Sequence, residues 1–189
     1  PVFTGEDGDP TSGPWTVRVL TVDPRRFRGE IAATHGPRVA GRTELSTLAR
    51  QSGALAAVNG GFFVVSPADG ITGDPAGLLV EGGKVLSEAT SGRFAMGLFN
   101  RNAPDGDTFV RFEKLTTRMR LVVGADLVRR VEGVNRVPGL IRNCGGMEDA
   151  PTDLPRHDFT CTDADELVVL TSELGAPAPS GPRVEAVVD

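Results

Sequence analysis

The chain has 189 residues and a formal net charge of −5, from 20 basic and 25 acidic side chains. The basic residues are scattered along the sequence, so a surface that tracks nucleic-acid phosphates is not expected. No run reaches the roughly 20 apolar residues that a membrane span requires. The length favours one domain, or one domain with an irregular extension.

Cys144 and Cys161 are the two cysteines of the sequence, and two histidines accompany them. The cysteines do not have the spacing of zinc ligands. One disulfide is the simplest interpretation, and a loop of that size is worth roughly 3 kcal/mol in the chain-entropy model. Because disulfides persist outside the reducing cytosol, we expect a secreted or cell-surface protein. A start at Pro1 without a hydrophobic leader is what a mature or trimmed chain would have.

The first predicted elements follow an N-terminal arm, residues 1–14, which is rich in turn-forming residues. Acidic residues at positions 5–9 loosely resemble a calcium loop without its remaining ligands, so we predict no cofactor and leave calcium open. Apolar alternation or continuity then predicts strands at 15–22, 28–34 and 54–58. A helical apolar stripe predicts a helix at 43–52, capped by Thr43 or Ser46 and stopped by Gly53.

The rest of the chain is predicted to be mainly β-structure. A glycine turn at 81–83 between residues 76–80 and 84–87 is typical of a hairpin. Further strands are predicted at 93–100, at 108–115 paired with 118–123, and at 167–170 and 184–188. Residues 125–131 fit a strand or a helix, and residues 135–165 are expected to be irregular. The predicted class is α+β, with a β-rich mixed sheet and few helices.

The strongest local motif is Asn59-Gly60-Gly61-Phe62-Phe63, directly after the apolar run at 54–58. A buried strand that ends in a polar turn often presents a functional group from a rigid support. The glycines permit positive φ and close approach to a ligand, and Asn59 offers both a donor and an acceptor. The two phenylalanines can anchor the turn in the core or shield the site. A tight turn with core phenylalanines explains the same pattern without a function.

The run GALAAVNGGFF at 53–63 closely resembles the phosphodiester glycosidase family. That family includes the N-acetylglucosamine-1-phosphodiester α-N-acetylglucosaminidase domain of the uncovering enzyme. Four further stretches are similar to the family in the same order: the helix at 43–49, GDPAGLLV at 73–80 with Gly82-Gly83, SGRFAMG at 91–97 and GVNR at 133–136. The similarity covers roughly residues 15–140.

The second half of the family's pattern is missing from this chain. Family members continue with an Arg-Thr-rich strand and an Asp-Gly-Gly-Gly-Ser segment, whereas Asn143-Cys144-Gly145-Gly146 lacks the acid and the hydroxyl. The resemblance therefore implies the N-terminal half of such a domain at 15–140. Residues 141–189 would be a disulfide-containing extension that leads to an absent C-terminal half, supplied in cis or in trans.

The resemblance implies a hydrolase that cleaves a sugar 1-phosphodiester of the N-acetylglucosamine type, free or in a surface polymer such as an exopolysaccharide. The transition state is expected to be oxocarbenium-like, and the departing phosphate favours Arg and backbone N–H groups. The candidate catalytic residues are Asn59, Arg93, His35 and Asp74. The candidate substrate-binding residues are Gly60, Gly61, Phe62, Phe63, Gly77, Asn135 and Arg136.

Each candidate also has a structural interpretation. Asp74 and Glu81 are explained equally well as turn carboxylates, and Arg93 as a partner in a surface salt bridge. His35 fits a turn, and Asn135-Arg136 could contact ligand or hold the following loop. For the whole chain, the alternatives are a non-catalytic extracellular carbohydrate-binding or envelope module, and one half of a two-chain enzyme that pairs through an exposed sheet edge.

Overall fold

The computed structural model describes residues 3–4, 10–11, 16–23, 26–90, 93–100, 108–144 and 159–178. Within these ranges it contains one α-helix and twelve strands, which form six two-stranded sheets. The predicted β-rich α+β class is confirmed. The chain divides into two compact units, one of residues 1–31 and 98–110 and one of residues 32–97 and 111–189.

Among the described residues of 1–31, the strands form one short pair. β1 (Phe3–Thr4) and β2 (Pro10–Thr11) form a short antiparallel pair inside the predicted arm. Residues 16–22 and 28–34 form no strand, so both strand predictions are wrong for the residues that the structure describes. The side chains at 16–22 are exposed, so an alternating apolar pattern was not enough to predict a strand there. An extended segment becomes a strand only when a neighbour takes up its backbone hydrogen bonds.

The predicted helix is confirmed as α1 (Leu45–Gln51). Its N-cap is Glu44, and no side chain caps it, so the prediction of a Thr43 or Ser46 cap is wrong. Gly53 follows the helix with a φ of 66°, as expected for a glycine that ends a helix. The backbone N–H of Ala54 donates to Ala49 O at 2.9 Å, which completes the C-terminal turn.

The predicted glycine hairpin is confirmed as β3 (Leu79–Glu81) and β4 (Lys84–Ser87). Gly82 and Gly83 have φ angles of 57° and 80°. A two-residue turn with positive φ at both positions has the twist that joins antiparallel strands. The local glycine signal was therefore sufficient to predict this element.

The next four strands are β5 (Phe94–Asn100), β6 (Thr108–Lys114), β7 (Met119–Val123) and β8 (Leu127–Val131). β6 pairs with β5, and β7 pairs with β8, so the predicted pairing of 108–115 with 118–123 is wrong. Gly124, with a φ of 62°, allows the short turn that brings β8 back along β7 through five residue pairs. The ambiguous segment 125–131 is thus largely a strand.

Two small sheets lie near the C-terminal end. β9 (Gly133–Val134) runs parallel to β12 (Val168–Val169), which confirms the strand predicted at 167–170. β10 (Leu140–Arg142) pairs with β11 (Thr160–Thr162), so the expectation of an irregular segment at 135–165 is wrong there. The predicted disulfide between Cys144 and Cys161 is present and closes this pair. The strand predicted at 184–188 lies outside the described residues.

The apolar core of the second unit is small. Its buried hydrophobic residues are Val39, Ala40, Val64, Leu86, Val131, Val134, Cys144 and Leu174. The backbone N–H of Ala40 donates to Leu174 O at 2.9 Å, next to a 3-10 turn at Ser172–Leu174, and Gly41 N–H donates to Thr72 O at 2.6 Å. The core therefore depends on loop segments that are hydrogen-bonded to one another, more than on a continuous sheet.

The segment at 54–61 departs most from expectation. Leu55 is 93% exposed and Val58 is 80% exposed. No backbone hydrogen bond joins residues 55–61 to any residue that the structure describes. A continuous apolar run is typical of a strand that is buried on both faces. The predicted strand at 54–58 is wrong for this structure, because no described segment lies beside it to satisfy its backbone.

Because Val64 is buried and Val58 is exposed, replacing each with alanine should lower the free energy of unfolding by very different amounts. Val64 is fully buried, so Val64→Ala should lower the free energy of unfolding by about 2 kcal/mol. Val58→Ala should change it by less than about 0.5 kcal/mol, because its side chain is already in solvent. Urea unfolding followed by circular dichroism measures both. Equal losses would mean that the surface around Val58 is covered in solution.

Candidate functional site

The NGGFF motif is joined by backbone hydrogen bonds to the stretch GDPAGLLV at 73–80. Val64 N–H donates to Asp74 O at 2.8 Å, and Ala76 N–H donates to Phe62 O at 2.9 Å. Phe63 and Pro75 form an antiparallel bridge between these bonds. The segment that carries Asn59 thus continues into a short ladder against residues 74–77. We call residues 74–77 the Asp74 turn.

Asp74 is an unusual carboxyl group because it is buried without a hydrogen-bond partner on one oxygen. The residue is 4% exposed, and its Oδ1 atom contacts neither solvent nor a donor among the described residues. Burial and, to a smaller extent, the negative charge of Glu88 raise the pKa of Asp74, the positive charge of Arg136 opposes them, and the net result is a pKa of about 8. The side chain is therefore mainly a neutral acid at pH 7. A neutral carboxylic acid can donate a hydrogen bond or a proton.

Asn143 lies on the other side of the Asp74 turn. Its Nδ2 donates to Ala76 O at 2.7 Å, and its backbone carbonyl accepts a hydrogen bond from Arg93 Nη2 at 3.1 Å. Asn143 has a φ of 66°, a left-handed conformation that Asn tolerates better than most residues. Its Oδ1 is also buried without a partner among the described residues. The Asn143 side chain is thus fixed at one end and unsatisfied at the other.

Three predicted site residues converge on this turn. Asp74 begins it, Gly77 ends it, and Arg93 reaches it through Asn143. Gly77 has a φ of 134°, a backbone conformation that side chains rarely permit, so a glycine is needed there. The sequence predictions missed Asn143 as a site residue. Its position directly before Cys144 is the signal that could have identified it.

The disulfide holds Asn143 in place. Cys161 lies in β11 opposite Ile141, and the Cα atoms of the two cysteines are 6.1 Å apart. Asn143 N–H donates to Phe159 O at 2.9 Å on the same pair of segments. The cross-link and this hydrogen bond restrict the backbone on both sides of the Asn143 side chain.

Asn135 lies in a fully buried position. Its Nδ2 donates to Leu86 O at 3.1 Å, and its Oδ1 accepts hydrogen bonds from Thr171 N–H at 2.8 Å and from the Thr171 hydroxyl at 3.1 Å. Its φ is 59°. These contacts connect β4 to the segment after β12. Of the two interpretations of Asn135, the loop-holding one describes this geometry.

Arg136 is the centre of a buried ion network. Its Nε donates to Glu88 Oε1 at 2.5 Å, and its Nη1 donates to Glu166 Oε2 at 2.6 Å and to Leu140 O at 3.2 Å. Burial lowers the pKa of Arg136, but the two carboxylates outweigh burial and the net shift is upward. A Cβ atom at Gly133 would lie 2.6 Å from Arg136 Nε, so only glycine leaves room for the guanidinium. Two members of the network act on Asp74 in opposite directions: Glu88 raises its pKa and Arg136 lowers it.

Of the remaining predicted residues, Phe62 and Phe63 meet the Asp74 turn through the backbone ladder. His35 Nδ1 is 2.5 Å from Glu81 Oε2, so two candidates are paired with each other. Asn59, Gly60 and Gly61 are exposed, and an added Cβ atom on either glycine would meet nothing within 4 Å. Neither glycine has positive φ, so the expected glycine-specific turn is wrong. Phe62 and Phe63 are exposed rather than core residues.

The described residues contain no group of three or more His, Cys, Asp or Glu side chains that could hold a metal ion. The calcium-like acids at 5–9 lie outside those residues. Among the helices that the structure describes, none has the length and apolarity to cross a bilayer.

Asp74→Asn should change the pH dependence of stability. The pKa of Asp74 is about 8 in the folded protein against an ordinary value of 3.8, so the folded state retains a proton that the unfolded chain loses. This stabilisation is complete below about pH 4 and falls by up to about 1.4 kcal/mol per pH unit until about pH 8. Relative to wild type, the variant should therefore gain stability as pH rises across that window.

Urea unfolding at several pH values between 4 and 9 measures this difference. Asp126→Asn is a matched control, because Asp126 is an exposed turn carboxylate. If the free energy of unfolding changed with pH in the same way for wild type and Asp74→Asn, the raised pKa of a buried Asp74 would be contradicted.

Arg136→Leu should lower the free energy of unfolding by about 3–5 kcal/mol, because Glu88 and Glu166 would remain buried without their cation. Arg26→Leu removes an exposed guanidinium and should change it by less than about 0.5 kcal/mol. Thermal and urea unfolding of the three proteins provide the comparison. A loss similar to that of the control would mean that the network is solvated.

The sequence matches no protein-family profile and no curated protein. Among solved structures, the chain is similar to one from Burkholderia pseudomallei K96243 described as a "Putative exported protein". The TM-score is 0.62 at 30% sequence identity, and the match covers 82% of this chain but 31% of the other. This chain therefore spans about a third of the length of that protein.

Proposed function

We propose that this protein acts outside the cytoplasm. Two independent observations support this. The Cys144–Cys161 disulfide closes β10 and β11, and such bonds persist in oxidising compartments. The similar Burkholderia protein, at 30% identity, is described as a "Putative exported protein".

Within that setting, we propose a carbohydrate-binding domain that forms one wall of a site for a sugar 1-phosphodiester. The observation that carries this proposal is the ladder between the NGGFF motif and the Asp74 turn. It connects an exposed Asn-Gly-Gly segment to a buried acid whose pKa is about 8. On this proposal the 189 residues bind the ligand without cleaving it, because the surface around Asn59 is open.

The charges around the Asp74 turn suit a phosphodiester ligand. An ionised carboxylate at Asp74 would repel the phosphate anion, and the neutral acid removes that repulsion. Arg93 supplies a positive charge on the Asn143 side of the turn. The exposed backbone N–H groups of Gly60 and Gly61 add donors, and the Phe62 ring offers an apolar face for a sugar.

A second candidate is a phosphodiester glycosidase that hydrolyses the same ligand, alone or with the missing half in cis or in trans. The sequence resemblance favours it. In that reaction, water adds to the anomeric carbon as the bond from this carbon to the phosphate oxygen breaks. The departing phosphate monoester keeps the bonding electron pair, and a proton from the attacking water passes to a base.

The deciding experiment uses a chromogenic N-acetylglucosamine 1-phosphodiester. Isothermal titration calorimetry should detect binding by the wild-type chain, while release of free N-acetylglucosamine stays at the uncatalysed rate. Asn59→Ala should weaken binding roughly 10- to 100-fold, since a hydrogen bond to a charged ligand is worth about 1.5–3 kcal/mol. Gln51→Ala, on the exposed end of α1, is the matched control and should bind like wild type.

The other outcomes separate the candidates. Turnover by the 189 residues that is lost in Asn59→Ala would favour the glycosidase. Turnover only after addition of a C-terminal half would indicate a site shared between two parts. Absence of both binding and turnover would overturn the sugar-phosphodiester proposal.

A further inference from the structure

Asn59 is followed by Gly60 in an exposed segment whose backbone makes no hydrogen bond with the residues that the structure describes. The side chains of Leu55 and Val58, just before this pair, are 93% and 80% exposed. The Asn59 amide also has no hydrogen-bond partner among the described residues. Both the backbone and the side chain at this position are therefore free to rotate and open to solvent.

An asparagine and a following glycine in such a segment can react with each other. Hydroxide removes the proton of the Gly60 N–H, and the backbone nitrogen then attacks the side-chain Cγ of Asn59. The N–Cγ bond forms, the Cγ–Nδ2 bond breaks, and the amide nitrogen takes a proton from water and leaves as ammonia. Water then opens the cyclic imide at either carbonyl, which leaves aspartate or isoaspartate at this position.

Two features of Gly60 favour the attack. Glycine has no Cβ atom, so its nitrogen is unshielded and the backbone reaches the bent geometry that ring closure needs. A Cβ atom added to Gly60 or Gly61 would meet nothing within 4 Å, so the space around the reacting atoms is free. Because no backbone hydrogen bond has to break, ring closure requires no local unfolding.

The other described asparagines lack this combination. Asn135 is fully buried, and both atoms of its amide are hydrogen-bonded. Asn143 donates from its amide to Ala76 O at 2.7 Å. Asn100 is exposed, but both atoms of its amide are hydrogen-bonded. Asn59 is also the one asparagine of the sequence that precedes a glycine.

We infer that Asn59 is a modification site, at which the exposed Asn-Gly segment converts itself to aspartate and isoaspartate through a cyclic imide. The reaction gives this position a negative charge, and the isoaspartate product also inserts a methylene group into the main chain. Hydroxide and water from the solvent are the co-reactants, so the modification does not depend on the ligand proposed above.

Incubation of the folded protein at pH 6 and pH 8, followed by tryptic digestion and mass spectrometry, tests the inference. Trypsin releases residues 51–84 as one peptide in which Asn59 is the single asparagine. This peptide should become about one dalton heavier and separate into two products of equal mass. The products should form about tenfold faster at pH 8 than at pH 6, because hydroxide starts the reaction.

Three controls separate the effect of the structure from that of the sequence. Gly60→Ala should slow the reaction by about tenfold or more, and alanine fits because Gly60 has no positive φ and open surroundings. In guanidinium chloride, the unfolded chain should react within about threefold of the folded rate, because the segment is already open. The peptides of Asn100 and Asn135, residues 94–101 and 131–136, should keep their mass in the folded protein.

The same measurements can overturn the inference. An Asn59 peptide of unchanged mass would do so directly. A folded rate more than about tenfold below the unfolded rate would mean that the segment is covered or restrained in solution. A Gly60→Ala rate equal to that of wild type would exclude attack by the Gly60 nitrogen.

A consequence for binding rests on the proposed function. The new negative charge lies in the segment that we propose to contact a phosphodiester, so the modified protein should bind N-acetylglucosamine 1-phosphate at least about tenfold more weakly. Calorimetric titration of fresh and incubated wild type measures this, and incubated Gly60→Ala should bind as its own fresh sample does. Equal affinities of fresh and incubated wild type would overturn this consequence. If fresh wild type does not bind, the proposed function fails, while the peptide masses still decide the modification.

Discussion

The guanidinium of Arg136, held between Glu88 and Glu166, is the interaction on which the second unit depends most. Its sheets have two strands each, and few apolar side chains are fully buried. Arg136 connects the end of β4 to the segment before β12 and to the turn at Gly139, which donates to Glu166 at 2.9 Å. A buried ion pair contributes little net stability, but it tolerates no missing member. Polar connections therefore fix how these small sheets meet.

Elements with a purely local cause were predictable from the sequence. The glycine turn at Gly82-Gly83 and the stop of α1 at Gly53 follow from the φ angles that these positions require. The strands predicted at 15–22 and 54–58 were wrong. A segment forms a strand only beside a neighbouring strand, and a hydrophobic pattern does not show whether that neighbour exists. The pairing of β7 with β8 was missed for the same reason.

The candidate site also contains residues that the sequence identified and one that it did not. Asp74, Gly77 and Arg93 were identified through residues that resemble the phosphodiester glycosidase family, and the structure gathers them at one turn. Asn143 was missed because its importance comes from contacts 67 and 50 residues distant in sequence, to Ala76 and Arg93. Only the disulfide pattern hinted that this region is fixed.

The ion network around Arg136 and the carboxyl group of Asp74 are electrostatically coupled. Two carboxylates around Arg136 leave one net negative charge, and burial has already made ionisation of Asp74 unfavourable. Asp74 is thus a neutral acid in the turn that is hydrogen-bonded to Phe62 and Val64. If Asp74 were ionised at neutral pH, two like charges would be buried side by side and an anionic ligand would be repelled. A neutral Asp74 therefore lowers the cost of burying this carboxyl group, and it also suits the anionic ligand that we propose.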